Sequence, residues 1–249
     1  MKEYEFYFRY TLPKRVPLMI RIDGKAFHTY TREMNKPFDE QLQRALWETS
    51  AFLASQIIGC RLAYQQSDEI SLLLINYEQP DTEAWFNNQL QKIVSVSASM
   101  ATAKFNALMR EHRPEQPLAF FDARAWILPK EEVANYFIWR QQDATKNSIS
   151  MVARAHFSHK EVDGLKSNQL QDKLMLEKNL NWNDLPVWQK RGVCVVKKTV
   201  SHEAVHQGQM IQVQRSHWMV DKNIPIFTKD RAYIEQYVYP NQDDPAQET

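Results

Sequence analysis

The sequence predicts an α+β fold: an antiparallel sheet laid down in the order strand, helix, strand, strand, helix, strand, with helices on one face and a helical and β-hairpin C-terminal half packed on it. Three observations carry this reading. Short apolar runs bounded by turn residues alternate with longer segments whose apolar residues recur at helical spacing. The two central strands are separated by only a few polar residues, so they form a hairpin. After Pro129 the pattern changes to longer helical segments and then to two further β-rich stretches.

Residues 17–23, Pro-Leu-Met-Ile-Arg-Ile-Asp, are a short apolar run closed by Asp23-Gly24, which reads as a buried strand ending in a turn. From about 39 to 58, Leu42, Leu46, Leu53 and Ile57 recur at helical spacing. Leu62 and Tyr64 on one side of Gln65-Gln66-Ser67-Asp68-Glu69, and Ile70, Leu72 and Leu74 on the other, make 60–77 a hairpin with a polar tip. A second long helix spans about 81–111, with Leu90, Val94, Ala98, Ala101, Phe105 and Leu108 as its apolar stripe and Lys92, Ser95 and Ser99 on another face. Residues 118–127 close the unit as a strand. This order is the ferredoxin-like or split βαβ arrangement, which brings the end of the first strand close to the hairpin tip. Helical segments follow at about 130–158 and 167–179, then β-rich stretches near 192–200 and 209–220. The expected organisation is a first unit at 1–129, a second part at 130–240 of the same compact unit packed on it, and an acidic, apolar-poor tail at 241–249 that is expected to be disordered.

Composition narrows the function classes. The chain has five glycines in 249 residues, about 2% against the ~7% typical of proteins. Gly24, Gly59, Gly164, Gly192 and Gly208 are too widely spaced to build a phosphate-cradling loop of the P-loop or dinucleotide-fold kind. With 31 basic and 30 acidic residues the net charge is +1, so only local charge can speak for a nucleic-acid partner. Two isolated cysteines, Cys60 and Cys194, fit a reducing compartment and offer no zinc spacing. No window of 18 residues is continuously apolar and the first residues lack a signal core, so a soluble, cytoplasmic protein with no membrane partner is expected.

Two carboxylates stand out. Asp23 ends the first strand and Asp68 sits at the hairpin tip beside Glu69, and in a split βαβ sheet these positions converge. Magnesium takes one or two protein carboxylates and completes its octahedron with phosphate oxygens and water, so the pair suits a metal–nucleotide site. Gly24, lacking a Cβ, lets backbone approach a ligand closely. Turn chemistry alone also explains Asp-Gly and a polar hairpin tip. Lys25, His28, Lys36, Lys92, Lys104 and Arg124 are scattered cations of the kind a triphosphate needs, each equally readable as a solvated surface residue. In the second half, Trp139 to Ser148 is dense in hydrogen-bonding groups, including Arg140, Lys146 and Asn147. Pro186 to His202 carries Lys190, Arg191, Lys197 and Lys198 beside Trp188, a basic strip with an aromatic neighbour that suits RNA or an ordinary solvated strand pair.

Taken together, Arg21-Ile22-Asp23-Gly24-Lys25-Ala26-Phe27-His28, Lys36-Pro37, Gln66-Ser67-Asp68-Glu69, Phe121-Asp122-Ala123-Arg124 and the block from Asn135 to Met151 resemble the tRNA(His) guanylyltransferase superfamily. Within it the chain is most similar to the Thg1-like proteins, which are 3′-to-5′ RNA polymerases. The resemblance covers roughly residues 3–200. It implies a polymerase-type palm in the first half. It also implies that Asp23, Asp68 and the Gly24 carbonyl bind two Mg2+ ions, and that Asp23, Asp68 and Glu69 form the catalytic set. Lys36 and Ser67 match positions that contact a nucleoside triphosphate, and Lys25, Ala26, Phe27, His28, Lys92, Ser95, Arg124 and Asn147 are counted with them. Arg140, Lys146, Arg154, Lys190, Arg191, Lys197 and Lys198 are the expected RNA contacts. The implied substrates are ATP and GTP or another NTP, the partner is the 5′ end and acceptor stem of tRNA, and the assembly is a homotetramer.

The implied reaction activates a 5′-monophosphate with ATP, after which the 3′-hydroxyl of an incoming NTP attacks and AMP leaves. One departure bears on the subgroup. The His-Ile-Asn-Asn-Leu-Tyr-Asn segment of eukaryotic members is absent, and the region reads Arg140-Gln141-Gln142-Asp143-Ala144-Thr145-Lys146-Asn147-Ser148. Templated repair or editing of 5′-truncated tRNA is therefore expected, with a dedicated tRNA(His) G-1 guanylyltransferase as the alternative. A nucleotidyl cyclase would share the two carboxylates, but no Gly-Gly-Asp-Glu-Phe string is present. A non-catalytic tRNA-binding protein would have no reason to keep both.

Overall fold

A computed structural model describes residues 1–79, 81–206 and 209–240, and the acidic tail at 241–249 lies outside them. In chain order the elements are α1 (Lys2–Phe6), β1 (Leu18–Gly24), α2 (Phe27–Tyr30), α3 (Glu40–Gln56), β2 (Cys60–Gln66), β3 (Glu69–Leu74), α4 (Leu90–His112), β4 (Phe121–Ile127) and α5 (Lys130–His156). They are followed by α6 (His159–Val162), α7 (Ser167–Lys178), α8 (Val187–Arg191), β5 (Val193–His206), β6 (Gln209–Asp221) and α9 (Ala232–Val238). Among the described residues the strands form one antiparallel sheet in the order β4-β1-β3-β2-β5-β6. Its first four strands have the split βαβ order that the sequence predicts.

Period-two alternation sorts each strand between two cores. Leu18, Ile20, Ile22, Ile70 and Leu72 face α3 and α4, where they pack with Leu46, Leu53, Ala101 and Phe105. Met19, Leu62, Tyr64, Leu73 and Cys194 face the other way, against Val133 and Phe137 of α5 and Ile234 and Val238 of α9. The two long helices α3 and α4 thus share one face, and α5 covers the opposite one. A third, smaller core joins the C-terminal half of α5 to α6, α7 and the turn at Trp182–Asp184.

Two details differ from the sequence reading. The second long helix begins at Leu90 rather than near 81, because Phe86, Asn87 and Asn88 adopt left-handed backbone angles that a helix cannot propagate. Its buried stripe is Ile93, Ser97, Ala101, Phe105 and Met109, one residue out of step with Leu90, Val94 and Ala98. Ser97 occupies a core position because its hydroxyl donates to the Val94 carbonyl at 3.3 Å.

The β-rich C-terminal stretches extend the same sheet. β5 pairs with β2 only from Val193 to Val196, and from Lys197 onward β5 and β6 continue as a two-stranded ribbon.

Candidate active site

β1, the β2/β3 hairpin and α5 converge on a cavity of about 660 Å³. Gly24 and α2 form one side, the hairpin tip from Gln65 to Asp68 forms the floor, and α5 and α8 close the far wall. The tip is a tight turn in which Ser67 has φ 50°, and the Gln65 side-chain amide pins it by donating to the Ser67 carbonyl at 2.6 Å. Gly24 is required where it stands: a Cβ there would lie 2.2 Å from the Phe27 ring. That ring packs against Tyr30, Phe105 and Phe121 with centroids 5.1, 5.7 and 5.2 Å away. Phe27 lines the cavity and at the same time anchors its wall in the core.

The strand register sets three carboxylates side by side. Asp23 lies opposite Glu69 on β3 and opposite Asp122 on β4. Asp122 pairs with Arg124 at 3.5 Å in an exposed contact, and Glu69 is held by Arg140 through two bonds of 2.8 and 2.7 Å. Asp23 and Asp68 have no ion-pair partner among the described residues. Burial pushes the Asp68 carboxyl above its ordinary range, and the charges of Asp23 and Glu69 push it further, although the Ser67 hydroxyl donates to it at 2.9 Å.

Such a pair asks for a cation, and its donors, two carboxylates with the Gly24 carbonyl nearby, are hard oxygens that fit magnesium. No group of three or more acidic, His or Cys side chains that could hold a metal ion occurs among the described residues. Two carboxylates would leave room for phosphate and water around such an ion.

Of the residues expected to contact nucleotide, Ala26, Phe27, His28, Lys36, Ser67 and Asn147 line the cavity, as do Gly24 and Asp68 of the expected metal ligands. Lys36 donates to the Thr31 carbonyl at 2.7 Å, and Asp39, which caps α3 and pairs with Arg113 at 2.7 Å, fixes the loop behind it. Four expected residues are not brought there. Lys92 lies over the Phe86 ring and Ser95 donates to the Gln91 carbonyl, both on the exposed side of α4, which is the face turned from the sheet. Arg124 points to Asp122 across the sheet from the α4 core. Lys25 is exposed, with its backbone amide bonded to the Phe120 carbonyl at 2.8 Å.

Comparison with known proteins decides the family. The tRNAHis guanylyltransferase (Thg1) family matches residues 1–129, more than half of the chain. The chain belongs to the Thg1 family. A bacterial tRNA(His) guanylyltransferase (Thg1)-like protein solved in complex with ATP is 58% identical, with a TM-score of 0.89 over 97% of this chain and 98% of its own. A bacterial Thg1-like protein in complex with GTP is 54% identical, with a TM-score of 0.81 over 96% and 97% of the two chains. The tRNA(His) guanylyltransferase of Saccharomyces cerevisiae is 28% identical over 203 residues, 73% of this chain and 82% of that one. Members of the Thg1 family are nucleotidyltransferases acting on tRNA, and this chain is an enzyme of that class.

Within this Thg1-family site the expected RNA contacts divide. Arg154 and Arg191 line the cavity itself. Lys146, Lys197 and Lys198 are exposed, the last two on opposite faces of the ribbon. Lys190 donates to the Asn183 carbonyl and lies over the Trp182 ring. Arg140 is the correction: it is 7% exposed and its guanidinium is taken up by Glu69 and by Asp143 at 3.0 Å, so it is not available to an RNA backbone. Both oxygens of Glu69 are engaged in this pair. Sequence reading missed Gln66, Met151 and Trp188 as cavity wall. Trp188 is placed there by edge contacts to Phe38 and Trp47, which nothing in its local sequence announces.

Proposed function

We propose that this chain adds nucleotides to the 5′ end of tRNA in the 3′-to-5′ direction under the guidance of a template, repairing or editing 5′-truncated tRNA, with ATP and GTP or another NTP as substrates and two Mg2+ ions. The observation that carries it is a cavity of about 660 Å³ lined by Asp68, Lys36, Asn147, Arg154 and Arg191, with a second carboxylate, Asp23, on the strand end directly before Gly24 of the cavity wall and opposite Glu69 of the hairpin. The bacterial Thg1-like proteins solved with ATP and with GTP support the choice of substrates. The missing His-Ile-Asn-Asn-Leu-Tyr-Asn segment supports templated addition over strict G-1 addition.

In this reading the 5′-monophosphate attacks the α-phosphate of ATP and pyrophosphate leaves, giving an adenylylated end. The 3′-hydroxyl of the incoming NTP then attacks the activated 5′-phosphate, and AMP leaves. Magnesium, held by Asp23, Asp68 and the Gly24 carbonyl, supplies charge neutralisation and a more acidic hydroxyl when bound. Lys36, Arg154 and Arg191 surround the phosphates with positive charge. Met151 and Trp188 add apolar surface to the cavity wall. No covalent enzyme nucleophile is required. Cys60 and Cys194 are buried, and burial pushes the Cys60 thiol up to about 12. A cytoplasmic location and a homotetramer belong to the same proposal.

The test is incubation of 5′-monophosphorylated tRNA lacking its first nucleotide with ATP, Mg2+ and NTPs. Extension of the 5′ end is expected, faster than guanosine addition opposite an unpaired adenosine on tRNA(His). A faster or equal unpaired addition would favour the dedicated guanylyltransferase. Cyclic nucleotide from NTP alone, with no extension, would sink both.

A further inference from the structure

We infer that Arg140 is a positioning residue for nucleotide transfer: its guanidinium fastens Glu69 and thereby holds the hairpin tip bearing Asp68 against the α5 wall of the cavity. The inference rests on the reading above for the reaction, but its geometry stands apart from it.

Arg140 makes two parallel bonds to Glu69, 2.8 and 2.7 Å long, and a third of 3.0 Å to Asp143. Side chains of Arg140 and Glu69 are each 8% exposed, and the guanidinium lies 4.5 Å from the Trp139 ring centroid. A fork-to-fork pair of this kind fixes direction as well as distance, which a lysine could not do. Glu69 follows Asp68 directly and pairs with Gln66 to close the turn, so holding Glu69 holds the tip. One turn earlier on α5, Tyr136 shares a 2.7 Å hydrogen bond with Ser71, which gives the same two elements a second tie.

On α5, Ala144, Asn147, Ser148, Met151 and Arg154 line the cavity. Relative to Arg140 they fall at helical spacing on the same face. Asn147 stands about 10 Å along the axis from Arg140, at 1.5 Å of rise per residue. Arg140 therefore stands where this face passes from the sheet to the cavity, and the clamp sets the gap between Asp68 on one side and Asn147 and Arg154 on the other. It also neutralises the carboxylate next to Asp68, so that a cation is drawn to Asp23 and Asp68 and not shared with Glu69.

The test is a double-mutant cycle on 5′ extension of truncated tRNA by the full-length enzyme, with melting temperature as folding control. Glu69→Gln and Arg140→Met are each expected to lower kcat about 10- to 100-fold and to raise the Mg2+ concentration for half-maximal activity several-fold. The Glu69→Gln/Arg140→Met double variant is expected to be no worse than the weaker single variant, because both remove one clamp. Losses that multiply in the double variant would mean that Glu69 acts on its own, and would overturn the proposal. So would an unchanged Mg2+ response in both single variants.

If Arg140→Met fails to fold, the Glu69→Met/Arg140→Met pair, which replaces a buried ion pair by apolar side chains of similar length, keeps the question open to measurement. A folded pair with wild-type Mg2+ response would refute the clamp, and a raised Mg2+ requirement would support it. An inactive wild-type enzyme would count against the reaction itself, which separates that failure from failure of the clamp.

Discussion

Asp23 and Asp68 differ from the acidic residues around them in that no cation among the described residues pairs with them, whereas Asp39, Glu69 and Asp122 each have an arginine. A carboxyl whose folded pKa lies above its unfolded value binds more protons in the folded state, so metal-free stability falls as pH rises from about 4 through that raised value. Burial and then the neighbouring charges put Asp68 in this class. We expect the metal-free protein to lose melting temperature across that interval, Mg2+ to restore it at pH 7, and Asp68→Asn to flatten the slope. Differential scanning fluorimetry against pH checks this, and a wild-type slope in the variant would count against the assignment. The same substitution should cut nucleotide transfer by at least about 10²-fold, the scale of losing one electrostatic partner of a reacting group. Asp68 and Glu69 are neighbours in sequence and look alike there. Their difference comes from Arg140, 71 positions from Glu69, and no local pattern could have disclosed it.

Elements were far easier to read than partners. The alternation around Leu62, Tyr64, Ile70 and Leu72 fixes the hairpin, and Leu42, Leu46 and Leu53 fix α3, because burial on one face leaves a period in the sequence. The α4 stripe came out one residue off because a serine took a core place by bonding its own helix, which an apolar count cannot register. The short α8 shows what packing adds. Tyr64 donates to the Arg191 carbonyl at 2.7 Å, and at Gly192, with φ +79°, a Cβ would sit 2.4 Å from the Gln65 carbonyl oxygen. Gly192→Ala should therefore destabilise by about 2–3 kcal/mol, from strain at positive φ and from the close approach. In a chain of this size that is about 4–12 °C of melting temperature. Because α8 carries Trp188 and Arg191, KM for NTP should rise in the same variant. A normal melting curve together with a normal KM would show that the backbone yields without cost.

The molecule is held together by a sheet covered on both sides. Met19, Leu62, Tyr64, Leu73 and Ile75 are each at most 3% exposed, and their cover comes from α5 and α9. A chain cut after Pro129 would uncover that face, an apolar patch of the kind that drives aggregation. We expect the fragment 1–129 to be insoluble or to bind a hydrophobic dye strongly. A soluble fragment with a sharp melting transition would show that the first half folds unaided.

The ribbon poses the opposite problem. Past Val196, β5 and β6 have only each other among the described strands, which leaves peptide groups along their outer edges free to recruit a further strand. Lys197, Lys198 and Arg215 stand exposed along this stretch, so two ribbons approaching edge to edge bring like charges together. The arm carries its own guard against fibre-like self-association, and neutralising these three cations should make solubility depend on concentration while the folded core stays as it is.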